Sequence, residues 1–240
     1  MRYQTLFALA SLVTPLFAGC GIEGSGHVVS ELRPVTAFRQ IELAGTADVQ
    51  IVTGKGEIRV TTDDNLQQYV TTRIEGDRLV IDEQNGGGHG VSLRPTHGIE
   101  VLVSMPEVPT DLSIGGSGSI AWDGSAVDSG GTLRLDVSGS GSMDIGAKVD
   151  EVDLGLGGSG SVRLHGTAGH GEIDVSGSGS VDAYALQLAS AHASISGSGS
   201  VRLQVSEQLD AEISGSGSIA YRGSPQVKSH ISGSGSVDHN

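Results

Sequence analysis

The pentapeptide Ser-Gly-Ser-Gly-Ser, or a close variant, returns seven times between residues 115 and 236, each time with an apolar residue on either side. Aligned on its second glycine, the unit falls at Gly118, Gly141, Gly160, Gly179, Gly199, Gly217 and Gly235, in steps of 23, 19, 19, 20, 18 and 18 residues. A flexible linker has this composition but no reason to keep apolar flanks on a fixed period. Repetition at such a period is the mark of a stacked-repeat fold.

Within the cleanest unit, Ile195, Gly197, Gly199, Val201, Leu203 and Val205 share one parity, while Ser196, Ser198, Ser200, Arg202 and Gln204 take the other. Strict alternation means strand, with one dry face and one wet one. One such strand per repeat, with no helix-period segment between copies, predicts an all-β chain: a right-handed parallel β-solenoid in which each coil hydrogen-bonds to the next. Both glycines of the unit are expected to point inward, where the coil pinches or turns, and the serines outward, stacked at about 4.8 Å.

Two further columns support this register. Three residues after the aligned glycine stand Ala121, Asp144, Arg163, Asp182, Arg202, Ala220 and Asp238, so Asp144, Arg163, Asp182 and Arg202 form a ladder of alternating charge. Such neighbours attract by about 0.2–1 kcal/mol per pair, and a slip by one coil would set like charges together. The next column, Trp122, Ile145, Leu164, Ala183, Leu203 and Tyr221, is expected to fill the core.

Residues 27–112 carry strand patterns such as "EIRVTT" and "RLVIDE" without the strict repeat, and read as irregular first coils or a cap on the regular stack of residues 113–240. A degenerate unit occurs at Gly45 to Val49. "DDNLQQYV" has the composition of one helical turn capped by Asp63 or Asp64, and "NGGGHG" at residues 85–90 reads as a mobile loop. At the other end, the final coil needs covering, and Tyr221 with the "RGSP" turn is expected to fold across it as a plug. That plug, together with the acidic charge, predicts a monomer or a weak dimer.

Residues 1–19 form a short charged start, an apolar run from Leu6 to Phe17, then Ala18-Gly19 before Cys20, the single cysteine. This resembles a bacterial lipoprotein signal, so residues 20–26 are expected to be a short linker behind a lipidated Cys20 that anchors the chain in a membrane. Gly21, in place of aspartate, predicts outer-membrane sorting in the cell envelope. The formal charge of −14 and the absence of a basic cluster or aromatic platform argue against nucleic acid as a partner.

Catalytic motifs fail in context. Gly155-Leu-Gly157-Gly-Ser-Gly160 fits a dinucleotide fingerprint but enters a strand instead of opening a helix. Gly115-Gly116-Ser-Gly118 resembles a calcium-binding repeat, yet Ile120 stands where aspartate is required. His165, His170 and His192 read as solvated turn residues, with an adventitious metal between the first two the alternative. Asp136, Asp144, Asp174 and Asp182 on the outer face raise the question of a carboxylate pair for glycan cleavage, although the charge ladder already accounts for two of them. No catalytic residue, cofactor or metal site is expected.

The lipoprotein start, "NLQQYV" at residues 65–70, "RLVI" at 78–81, "MP" at 105–106, the SGSGS coils and "YRGSP" at 221–225 together resemble the auto-transporter adhesin head (GIN) domain family, over roughly residues 38–225. The resemblance implies an all-β solenoid exported to the envelope and supplies no catalytic residues. The function expected is therefore non-enzymatic: a lipid-anchored rod with an adhesin-like or structural role towards an unknown envelope or surface ligand. The alternatives are a carbohydrate-active β-helix enzyme and a periplasmic accessory protein in envelope stress or transport.

Overall fold

The computed structural model describes residues 21–83 and 92–240, without the side chains of residues 125–127. The "NGGGHG" segment and Cys20 lie outside the described residues. In chain order the strands begin with β1 (Gly21–Glu23), β2 (Val28–Arg33), β3 (Gln40–Ala44), β4 (Asp48–Thr53) and β5 (Glu57–Asp63). After a 3₁₀ turn (Gln67–Tyr69) come β6 (Val70–Glu75), β7 (Arg78–Glu83), β8 (Ser92–Arg94) and β9 (Glu100–Met105). The repeats supply β10 (Asp111–Ile114), β11 (Ser119–Asp128), β12 (Thr132–Gly139), β13 (Ser142–Gly158), β14 (Ser161–Gly177), β15 (Ser180–Gly197) and β16 (Ser200–Gly215). They end with β17 (Ser218–Arg222), β18 (Gln226–Gly233) and β19 (Ser236–His239).

These strands build a parallel β-solenoid. One ladder runs β7, β3, β10, β12, the second halves of β13 to β16, then β18. The other runs β9, β4, β11, the first halves of β13 to β16, then β17 and β19. At about 4.8 Å per strand, the eight steps of either ladder span roughly 38 Å. The register is the one the repeat dictates: Ser142 sits opposite Ser161, Ser180 opposite Ser200, and Val175 opposite Ile195. The inward residues form one apolar core, in which Val137, Ile145, Ile173, Ala193, Leu203 and Ile213 are at most 1% exposed.

Stack order and chain order agree only from β10 onward. The coil made by β3 and β4 lies between β7–β9 on one side and β10–β11 on the other, although both neighbours follow it in sequence. The degenerate Gly45–Ala47 corner sits directly beneath the first full repeat, where Ser117 and Gly118 donate their N–H groups to the Gly45 carbonyl. Beyond β7 and β9 the pairing turns antiparallel, with β6 on β7, β5 on β9 and β2 on β5. This closes the first end of the stack against further parallel addition.

Buried polar side chains fasten that cap. Asp63 is 0% exposed and accepts from the Gly26 N–H at 2.8 Å, the Thr96 N–H at 2.8 Å and the Thr96 hydroxyl at 2.8 Å. These hydrogen bonds, the Thr96 N–H first, hold its carboxyl below the usual range. It therefore ties two chain segments to the end of β5 and does not cap the 3₁₀ turn, which has no side-chain cap. Gln67 donates to the carbonyls of Val29 and Val60, both at 3.0 Å.

The far end differs from expectation. Every residue of β18 is exposed, including Val227 at 37% and Ile231 at 41%. Tyr221 sits one coil inward, opposite His239, and the turn Gly223–Pro225 joins β17 to β18 at the side of the stack, so among the described residues neither covers the terminal coil as a plug. The turn is committed to the coil's own corner and has no length left to cross the end.

The two glycines of each repeat also do different work. The second is buried in every repeat but the last, and a Cβ there would press on an aliphatic side chain, as at Gly199 against Val175 Cγ1 at 2.6 Å. The first is half-buried, or exposed at Gly233 in the last repeat, and from Gly139 onward holds φ between +127° and +149°. A Cβ on it would lie 2.3–2.5 Å from the carbonyl oxygen of the matching glycine one coil earlier. Those carbonyls accept the next coil's serine N–H, for example Ser198 to Gly177 at 2.8 Å. The corner thus needs glycine because backbone meets backbone there.

Candidate binding face

The strands that follow each repeat present two outward columns side by side. In the first, Ser119, Ser142, Ser161, Ser180, Ser200, Ser218 and Ser236 stack in register above Asp48. Ser119 donates to Asp48 at 2.6 Å, whereas the hydroxyls from Ser142 to Ser218 make no hydrogen bond among the described residues. In the second, Asp144, Arg163, Asp182 and Arg202 are consecutive rungs. The ladder closes as two couples, Asp144–Arg163 at 3.6 Å and Asp182–Arg202 at 3.3 Å. All four side chains are at least 39% exposed, so each couple is worth about 0–1 kcal/mol. Together the columns line a shallow trough along the stack, polar and chemically repetitive.

The outer-face carboxylates are not gathered. Asp136 and Asp174 lie on the other ladder with Gly155 between them, two coils apart, while Asp144 and Asp182 are held by arginines on this one. Partial burial raises the Asp136 carboxyl, with Asp111 adding repulsion. On Asp128, by contrast, the hydrogen bond from Lys148 and its charge pull the carboxyl down.

The histidines separate in the same way. His165 meets Asp123 at 3.4 Å and Asp144 at 3.7 Å. His170 and His192 flank Glu172 at 3.7 and 3.9 Å, and His170 also bonds the Ser190 hydroxyl at 2.9 Å. His165 and His170 thus engage different carboxylates. Among the described residues, no three His, Cys, Asp or Glu side chains are grouped so as to hold a metal ion.

One constellation was not visible in the pattern. Near the far end, the Arg222 guanidinium lies 4.0 Å from the ring centroid of Tyr184, and the Asn240 amide donates to the Tyr184 hydroxyl at 3.0 Å. Beside them Tyr221 and His239 pack edge to face at 5.1 Å, with the His239 ring 2.8 Å from the Gly223 carbonyl. The sequence showed no aromatic platform because these residues come from three coils. Writing Tyr184, Tyr221 and His239 in coil register would have brought them together.

Comparison with known proteins follows the same architecture. A crystal structure described as a putative lipid binding protein from Parabacteroides distasonis is 25% identical, with a TM-score of 0.74 over 91% of this chain and 99% of that one. A putative adhesin from Bacteroides fragilis is 22% identical, with a TM-score of 0.78 over 92% of this chain and 100% of that one. A second Parabacteroides distasonis structure, also described as a putative adhesin, is 21% identical with a TM-score of 0.68 over 92% and 100% of the two chains. A search among curated proteins finds no match. The family model described as "Putative auto-transporter adhesin, head GIN domain" matches residues 37–225, from just before β3 to the turn after β17, and the chain belongs to that family.

Proposed function

We propose that this protein is a non-enzymatic, lipid-anchored component of the bacterial envelope that holds an acidic β-solenoid away from the membrane for adhesion. The observation that carries the reading is the polarity of the stack. Residue 21 enters β1 beside β8 and the capping strands, while β17 to β19 stand at the opposite end, roughly 38 Å away. A lipid on Cys20 would fix the capped end at the outer membrane and point the uncapped one outward. Family membership and the adhesin-like description of structural neighbours support the same reading.

Two measurements test it. Mass spectrometry of the membrane fraction should find an acylated amino-terminal Cys20, and an unmodified mature chain in the soluble periplasm would overturn the anchor. Cells deleted for the protein should adhere less to a host surface than complemented cells do, and equal adherence would overturn the adhesive role.

A further inference from the structure

Nine of the ten described arginines lie within 4.0 Å of a carboxylate, and Arg222 is the one that does not. Its guanidinium instead lies against Tyr184. Lys228, a few residues on in the terminal coil, has no ion pair either. Side-chain charge divides accordingly. Residues 218–240 carry Arg222 and Lys228 against Asp238, a net of +1, so residues 1–217 carry the remaining −15 of the total −14. The last strands thus carry a slight positive charge on an acidic rod, with Lys228 in register opposite Asp210 of the coil beneath and Arg222 away from it on the other ladder. In a chain with only 3% aromatics, the corner around Arg222 also gathers Tyr184 and Tyr221.

We propose that this corner is a recognition site for an acidic glycan, with Arg222 as its centre; the inference deepens the adhesive reading above and rests on it. A guanidinium lying on an aromatic ring keeps its N–H edge free, and that edge suits two oxygens of a carboxylate or sulfate. The ring it lies on fixes its orientation and lowers the cost of ordering a long side chain. The Tyr184 hydroxyl and the Asn240 amide, bonded to each other at 3.0 Å beside the guanidinium, add polar groups that suit sugar hydroxyls. Tyrosine and arginine are also the residue types in which binding energy concentrates at recognition surfaces. The rest of the rod repels a polyanion laid along it, so the site takes a glycan that meets the tip end-on.

The test uses the soluble protein from residue 21 onward, a heparin-derived octasaccharide, maltoheptaose as a neutral glycan and a polyglutamate peptide of similar charge. Calorimetry should show that the octasaccharide binds, that binding weakens with salt, and that Arg222→Ala weakens it about tenfold or more. Arg222→Lys should recover only part of the loss and Lys228→Glu should also weaken binding, while all variants keep the parent melting curve. No binding of the octasaccharide, or equal binding by Arg222→Ala, overturns the proposal. Equal binding of polyglutamate overturns it in favour of an acidic peptide. If deletion of the protein abolishes cell adherence but Arg222→Ala cells adhere normally, the glycan site falls and the adhesive reading stands. If the octasaccharide binds through Arg222 but deletion leaves adherence unchanged, the reverse holds.

Discussion

Replacing Gly197 with alanine is the sharpest test of how these coils turn. Gly197 holds φ at +132°, and a Cβ there would lie 2.4 Å from the Gly177 carbonyl oxygen, which already accepts the Ser198 N–H at 2.8 Å. A non-glycine residue in such backbone costs about 1–3 kcal/mol. Displacing the carbonyl adds the loss of one backbone hydrogen bond, about 1 kcal/mol. The expected cost is therefore about 2–4 kcal/mol, which for a chain of this size lowers the melting temperature by roughly 5–15 °C. Gly199→Ala presses on the Val175 methyl at 2.6 Å and should cost about 1–3 kcal/mol by overpacking, some of it relieved as Val175 shifts. Ser198→Ala, on the exposed side, should stay within about 0.5 kcal/mol. Thermal and denaturant melts rank the three, and hydrogen exchange should place the new weakness in β14 and β15, since stacked coils couple mainly to their neighbours. A Gly197→Ala protein that melts with Ser198→Ala would refute the account of the corner.

The cap should respond to acid through Asp63. Its folded pKa is depressed, so the stabilisation it gives is present above the unfolded carboxyl value of about 3.9 and is lost as pH falls through the folded value. Below about pH 4, hydrogen exchange should rise at Gly26 and Thr96 before it rises in β14, and Asp63→Asn should abolish that order. On the ladder, Asp182→Lys sets a cation between Arg163 and Arg202 and should destabilise by about 0.5–1 kcal/mol, a cost that shrinks in molar salt. A salt-independent cost would mean that packing, and not charge, governs that column.

The regular half was legible because two periods coincide in it. Alternation fixes which residues face inward, and the recurrence of Ser-Gly units fixes which coils touch, so the Asp144, Arg163, Asp182, Arg202 register followed from counting. Parity assigns a side but not a dihedral, which is why the two glycines looked equivalent although only the first adopts positive φ. The placement of β3 and β4 between later strands has no local signal, because it is decided by long-range pairing among strands of similar composition. Asp63 looked like a helix cap from its neighbours in sequence, whereas its partners Gly26 and Thr96 are brought to it by the fold. Tyr184 and Arg222 were missed for the same reason, since they meet across two coils.

The interleaving of β3 and β4 also sets the order in which such a chain can be completed as it is synthesised. The first coil gains one neighbour only when β7 and β9 have appeared, and the other only with β10 and β11. The pairings of that coil are therefore complete only once the chain has reached Trp122. After that point each new length of 18–23 residues finds a finished edge waiting and can lock on by itself. Duplicating one repeat in the gene would lengthen the rod by about 4.8 Å without disturbing the coils at its base, so reach can be adjusted in fixed increments while the foundation is inherited whole.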